Sequence, residues 1–405
     1  MVVDILIAHP LKHHVFNFTV GCQNSGFEVR LITPLYKKGL INLLSRLPGT
    51  SIKKLNEYYH PRLNSSNVIS PLWWQLKRLL TFNSNRDDFN EQFDLYIENL
   101  FLRKKIKTKI LVTMQDYMPR TVAVAKSQGV LIWSDQILNS SNDVRNRIAL
   151  NLLSVGHKYI DDHNEKMNKK ILSECDVVTV PNQYTLKGVL DRIKPECKVY
   201  QVPYGADEVK FVRKKPLFAS TETIRIIARA NNIRKGGHLF LTAIDNCAES
   251  LSRLIGKTQS VEFNIIGTLD EIVASKIENL ILPTNFSVRV KVIPSVDMPN
   301  EYNSSHLFIM PSLTEGMSLM CIEAMKMALP IIITEECGID FFSDRKMGIQ
   351  IIPTVESISK ALVYAFENID KWEAWGNECA EKAKTLTWTS YETKIKDTAL
   401  SILNG

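Results

Sequence analysis

The run His306-Leu307-Phe308-Ile309-Met310-Pro311-Ser312-Leu313-Thr314-Glu315-Gly316-Met317-Ser318-Leu319-Met320-Cys321-Ile322-Glu323-Ala324-Met325 gathers residue types that can handle a charged ligand. An apolar strand ends at Pro311, a loop carries Glu315, and the pattern predicts a helix from near Ser318 with Glu323 on it. A helix N-terminus presents unbonded N–H groups and a partial positive charge, so a phosphate can sit there without dedicated cations. Gly316 removes the side chain that would block close backbone approach. Carboxylates at either end of such a site can take sugar hydroxyls on both sides of a diphosphate. A plainer reading stands beside this one: Glu315 caps the helix and Glu323 faces solvent.

The elements that must hold these residues follow from the rest of the 405-residue chain, a length that suits two domains. Short β-branched runs alternate with helix-length amphipathic segments, the sequence form of an α/β protein with parallel sheets. Strands are predicted at Val3–Ala8, Glu28–Thr33, Ile110–Met114, Val130–Trp133, Val177–Val180 and Lys198–Val202. A second set follows at Ile224–Arg229, Val261–Gly267, Val288–Ile293, Leu307–Met310, Pro330–Thr334 and Ile349–Ile352. The junction falls between Pro203-Tyr204-Gly205-Ala206-Asp207 and Val212-Arg213-Lys214-Lys215-Pro216. The expected units are therefore 1–210, 211–386 and a closing helix at 387–405, the first two resembling a pair of Rossmann-like domains of six strands each.

Several classes drop out. With 45% hydrophobic and 23% charged residues the chain has the profile of a soluble globular protein. No apolar run approaches the roughly 18 residues a membrane-spanning helix needs. Met1–Ala8 carries Asp4 and no basic leader, so it is expected to be a buried first strand and not a signal peptide. Seven cysteines, never spaced as Cys-x-x-Cys, are expected to be reduced core thiols of a cytoplasmic protein. No Gly-x-Gly-x-x-Gly occurs, which argues against a standard dinucleotide turn. Gly256-Lys257-Thr258 imitates the end of a P-loop, but the earlier glycine would have to be Leu251.

The chain resembles the retaining glycosyltransferases of family 4. The resemblance rests on Glu315, seven residues, Glu323, then Ala324-Met325 and Ala328-Leu329-Pro330. It extends to Val202-Pro203-Tyr204-Gly205-Ala206-Asp207 through Phe211, to Ile227-Ala228-Arg229 with Arg234-Lys235-Gly236, to Phe263–Gly267, and to Thr387-Trp388. The first half matches only at His13-His14-Val15-Phe16 and Asp176–Pro181. Three departures stand out: Ala228 and Ser318 replace frequent glycines, one extra residue separates Arg229 from Lys235, and the first loop His9–His14 lacks glycine. Serine suits a helix start.

The resemblance implies an α/β GT-B fold, two Rossmann-like domains facing across a cleft with the last helix crossing back to the first. It implies a nucleotide diphosphate sugar, UDP favoured over GDP, bound to the second domain as co-substrate with no further cofactor. Glu323 would accept ribose hydroxyls and Glu315 those of the donor sugar. Backbone N–H groups of Gly316, Met317, Ser318 and Leu319, with Arg229 and Lys235, would hold the diphosphate, Arg234 standing in for either cation and Gly267 joining the donor site. Fixed cations and a helix terminus stabilise a departing diphosphate, so no metal is expected. The reaction implied is retaining transfer to a hydroxyl of a glycan acceptor, lipid-linked, in cell-surface polysaccharide assembly. The alternatives are a small soluble acceptor or a non-catalytic nucleotide-sugar binder. Asp116 and Asp135, at strand ends, and His13 and His14 are candidates on the acceptor side; an aspartate that only caps a turn is the blander option.

Charge is uneven. Between Lys37 and Leu80 eight cations face Glu57 alone, with Tyr58, Tyr59, Trp73 and Trp74 among them. A solvated face, peripheral contact with the inner face of a membrane, and nucleic-acid binding all fit such a stretch. No recognition module accompanies the charge, so no nucleic-acid partner is expected.

Overall fold

A computed structural model describes residues 1–404 apart from 13, 39–57, 81–85, 116, 140, 157–162, 215, 218–222 and 256–258. Among the described residues, β1 (Val2–Ala8), β2 (Val29–Ile32), β3 (Val68–Ile69), β4 (Lys107–Met114), β5 (Leu131–Asp135), β6 (Val177–Val180) and β7 (Lys198–Gln201) form one sheet, ordered β3-β2-β1-β4-β5-β6-β7. β8 (Thr223–Ala228), β9 (Ser260–Ile266), β10 (Phe286–Lys291), β11 (Leu307–Met310), β12 (Ile331–Thr334) and β13 (Gly348–Ile351) form the other, ordered β10-β9-β8-β11-β12-β13. Every pairing is parallel, as in Ile5 opposite Val29 and Ile110, or Phe308 opposite Ile227 and Ile331. Helices cover both faces of such sheets, so the central strands read as unbroken apolar runs; Ile331–Ile333 and Leu307–Met310 are buried throughout. The architecture is GT-B.

The first sheet has seven strands where six were expected. The extra one, Val68–Ile69, is two residues long and lies inside the basic stretch, too short to show a period of two. Each sheet reverses its strand order once, between β1 and β4 and between β8 and β11. Loops at the carboxyl ends of the strands beside such a reversal splay apart and leave a crevice.

The chain crosses back at its end. Helix Trp388–Asn404 packs on helix Val15–Gln23, where Gly21 lies so close that an added Cβ would overlap Ile395. Ala206, in the junction, bridges to Thr387, and its N–H donates to the Leu386 carbonyl at 3.1 Å. All seven cysteines are free and six are buried. Among the described residues no helix is long and apolar enough to cross a membrane.

Candidate active site

The second reversal gathers the sequence-derived residues. Arg229 follows β8 directly, and its backbone N–H donates to the Ile309 carbonyl of β11 at 3.0 Å. Its guanidinium donates to the Ile266 carbonyl at the end of β9. Gly267 makes room for this: its φ is +115° and a Cβ there would strike the Arg229 guanidinium. The turn before helix Gly237–Ile255 supplies Arg234 and Lys235, and Leu313 N–H donates to the Arg234 carbonyl at 2.9 Å, joining this turn to the loop after β11.

Glu315 lies at the centre. Its carboxylate accepts from the Lys235 ammonium, from Arg234 Nη1 at 3.1 Å and from Ser312 Oγ at 3.2 Å, and it is buried. Burial pushes Lys235 and Arg229 below their ordinary values, while the Glu315 charge acts the opposite way on both. One carboxylate and three cations therefore cluster here, with Glu315 and Lys235 buried and Arg234 reaching toward solvent.

Ser318 begins helix Leu319–Lys326 as its N-cap, with Oγ accepting from Cys321 N–H at 3.3 Å. Glu315 does not cap the helix. Nor does Glu323 face solvent: it accepts from the Tyr302 hydroxyl at 3.0 Å, and burial pushes its carboxyl up to about 7 against the pull of that bond. Gly316 and Met317 lie between the two glutamates; Met317 is buried, and Leu319 is partly exposed.

The first domain closes over this site. A Cβ on Gly316 would run into the Ile137 carbonyl. Gln115, whose φ is +50°, holds the loop behind it by accepting from the N–H groups of Ile137 and Leu138 at 2.9 and 3.0 Å. Tyr184 hydroxyl donates to Thr314 Oγ1 at 3.3 Å, and Arg147 pairs with Glu336. Cavities of about 240 and 470 Å³ open along the seam beside Asp340, and neither is lined by Glu315 or Glu323.

His14 and Asp135 come together, with Nε2 2.6 Å from Oδ2. The other oxygen of Asp135 accepts from Thr179 Oγ1 at 2.5 Å. Rings of Tyr204 and Tyr391 pack on His14, so the pair sits under the junction and the last helix. His13, Asp116 and Gly256-Lys257-Thr258 lie outside the described residues. In the basic stretch the two tryptophans part company: Trp74 is 1% exposed, edge-on to Phe89 and Phe93, whereas Trp73 is 48% exposed. The pair cannot act together at a surface. Tyr302 and Asn182 escaped the sequence reading. Tyr302 gives no local signal, and Asn182 reads as an ordinary helix cap.

Fold and site together define a GT-B protein whose second sheet carries an acidic-basic cluster at its topological switch. Residues 221–368 match the family described as Glycosyl transferases group 1. No curated protein matches the chain. Among solved structures, sucrose-phosphate synthase from Thermosynechococcus elongatus is similar at a TM-score of 0.69 with 12% identity, covering 99% of both chains. Anabaena Alr3699/HepE in complex with UDP is similar at 0.63 with 12% identity, over 99% of this chain and 100% of that one. A trehalose-6-phosphate synthase, studied for glycosyl transfer with retention, is similar at 0.64 with 11% identity over 99% of each chain.

Proposed function

We propose that the protein is a retaining family 4 glycosyltransferase that moves a sugar from a nucleotide diphosphate sugar to a hydroxyl of a glycan acceptor. The observation that carries this reading is Glu315, buried at the switch point against Lys235 and Arg234, beside Arg229, and eight residues before Glu323 on the following helix. Glu323 takes the ribose hydroxyls and Glu315 the hydroxyls of the donor sugar. Arg229, Lys235 and the N–H groups of Gly316, Met317 and Leu319 receive the diphosphate, Arg234 serving as a third cation; the expected Ser318 N–H is not among them, because it donates to the Cys337 carbonyl at 3.0 Å. The acceptor oxygen bonds to the anomeric carbon as the bond to the diphosphate breaks. The acceptor's proton passes to a diphosphate oxygen on the same face, which retains the configuration. Cations and oriented dipoles gain most where leaving-group charge grows, which leaves no step that needs a metal.

UDP is favoured as the carrier because the similar Anabaena protein binds UDP and UDP-glucose. The acceptor side belongs to the first domain, where the His14–Asp135 pair lies at the end of β5 and the start of helix Val15–Gln23. A lipid-linked acceptor, and action at the cytoplasmic face of a membrane in polysaccharide assembly, fit helix Leu72–Leu80, which exposes Leu72, Trp73 and Leu76 within the basic stretch.

A thermal-shift panel with UDP, GDP, ADP and CMP tests the reading on wild type and Glu323→Ala. Ligand at roughly 100 times its dissociation constant adds about 2.7 kcal/mol to the folded state. UDP should raise the melting temperature of wild type and not of the variant. No shift with any nucleotide would count against the donor site.

A further inference from the structure

The Thr314 hydroxyl bonds across the seam on the near side of Glu315, and on the far side, at Gly316, one amide of the opposite domain grips the backbone. Asn182 follows β6 and caps the short helix Gln183–Lys187, its Oδ1 accepting from Thr185 N–H at 2.8 Å. The other end of the amide crosses the seam. Nδ2 donates to the Gly316 carbonyl at 2.7 Å and to the Gly338 carbonyl at 3.0 Å. Asn182 is 1% exposed, so a buried side chain spends its acceptor on its own helix and both donor hydrogens on the other domain.

The receiving surface is shaped for this contact. Gly338 has φ +71°, and a Cβ there would strike the Asn182 amide, just as a Cβ on Gly316 would strike Ile137. Cys337, one residue before Gly338, accepts from Ser318 N–H at 3.0 Å. Asn182 therefore grips the segment between Glu315 and the helix start directly through Gly316 and again through the turn that supports Ser318. In a trans peptide the carbonyl and the following N–H point opposite ways. Fixing the Gly316 carbonyl on Asn182 turns the Met317 N–H away from the first domain, and Met317 is one of the N–H groups assigned above to the diphosphate.

We infer that Asn182 is a positioning residue for the transfer reaction, tying domain closure to the working conformation of the Glu315 loop. The inference rests on the glycosyltransferase reading, since the loop's work is the donor chemistry. Closing the domains forms both bonds, and opening them frees the Gly316 peptide to rotate.

Asn182→Asp separates this role from capping. Aspartate caps a helix as well as asparagine does but presents only oxygen to two carbonyls. Nucleotide affinity should stay within about twofold, because the cations and carboxylates that bind it lie in the second domain, while kcat for transfer falls about tenfold or more. In the free protein, amide hydrogen exchange across 311–318 should quicken. Asn182→Ser, which also caps but is too short to span the seam, repeats the test should the buried carboxylate prevent folding. Wild-type kcat and exchange in either variant would overturn the inference and leave Asn182 a helix cap. Absence of transfer by wild type from any nucleotide sugar would count against the functional reading, and the exchange measurement would still decide whether Asn182 ties the loop.

Discussion

At the scale of single residues, Glu323 makes the sharpest prediction. The unfolded carboxyl ionises near 4.5 and the folded one near 7, mainly because the group is buried. The proton held between those values stabilises the fold; that contribution is complete below 4.5 and lost as pH rises through about 7. On the proposed donor role of Glu323, nucleotide binding runs the other way, because ribose hydroxyls are better accepted by the carboxylate. Calorimetry should find affinity rising up to about tenfold between about pH 6 and 8, with Glu323→Gln flat over the same range. Glu315 sits among the cations that the proposed function assigns to a diphosphate. Glu315→Ala should cut turnover on the order of a hundredfold or more while nucleotide affinity changes far less; equal losses in both would make Glu315 a binding group only.

At the scale of elements, parallel strands place every candidate of the second domain at one end of one sheet. The loops after β8, β9 and β11 meet there because β8 and β11 are neighbours at the order reversal. The last helix depends on one close approach, that of Gly21 to Ile395 and the Glu392 carbonyl. Gly21→Val must push helix Trp388–Asn404 off helix Val15–Gln23 and should cost about 1–3 kcal/mol, read as a lower denaturation midpoint. The His14–Asp135 pair lies under the same helix, packed against Tyr391, so Gly21→Val also loosens the cover of the first domain's own strand-end residues.

At the scale of the whole molecule, two closed domains present a basic first half with exposed Leu72, Trp73 and Leu76 on one helix. Replacing Trp73, which also packs on Trp74 and Tyr96, with Ala and Leu76 with Ser should lower sedimentation with anionic vesicles and lower the melting temperature less than Trp74→Ala does, and unchanged sedimentation would remove the membrane from the reading. Trp74→Ala should instead destabilise by about 3–5 kcal/mol, since Trp74 is core. Much of this was legible beforehand. Val177–Val180 and Leu307–Met310 are strands at the predicted bounds, and Glu315 and Glu323 flank a helix start as their spacing required. Apolar runs and helix signals act over a few residues, so the sequence alone determined the α/β alternation and the placing of the two glutamates about a helix start. Val68–Ile69 was too short to signal itself. Trp73 and Trp74, adjacent and alike in sequence, part because their helix has a buried and an open side. The partners of Glu323, Asp135 and Gly316, namely Tyr302, His14 and Asn182, lie 21, 121 and 134 residues away. Only the tertiary structure decided those, because strand order and the closing of one domain on the other bring together groups with no local relation in the chain.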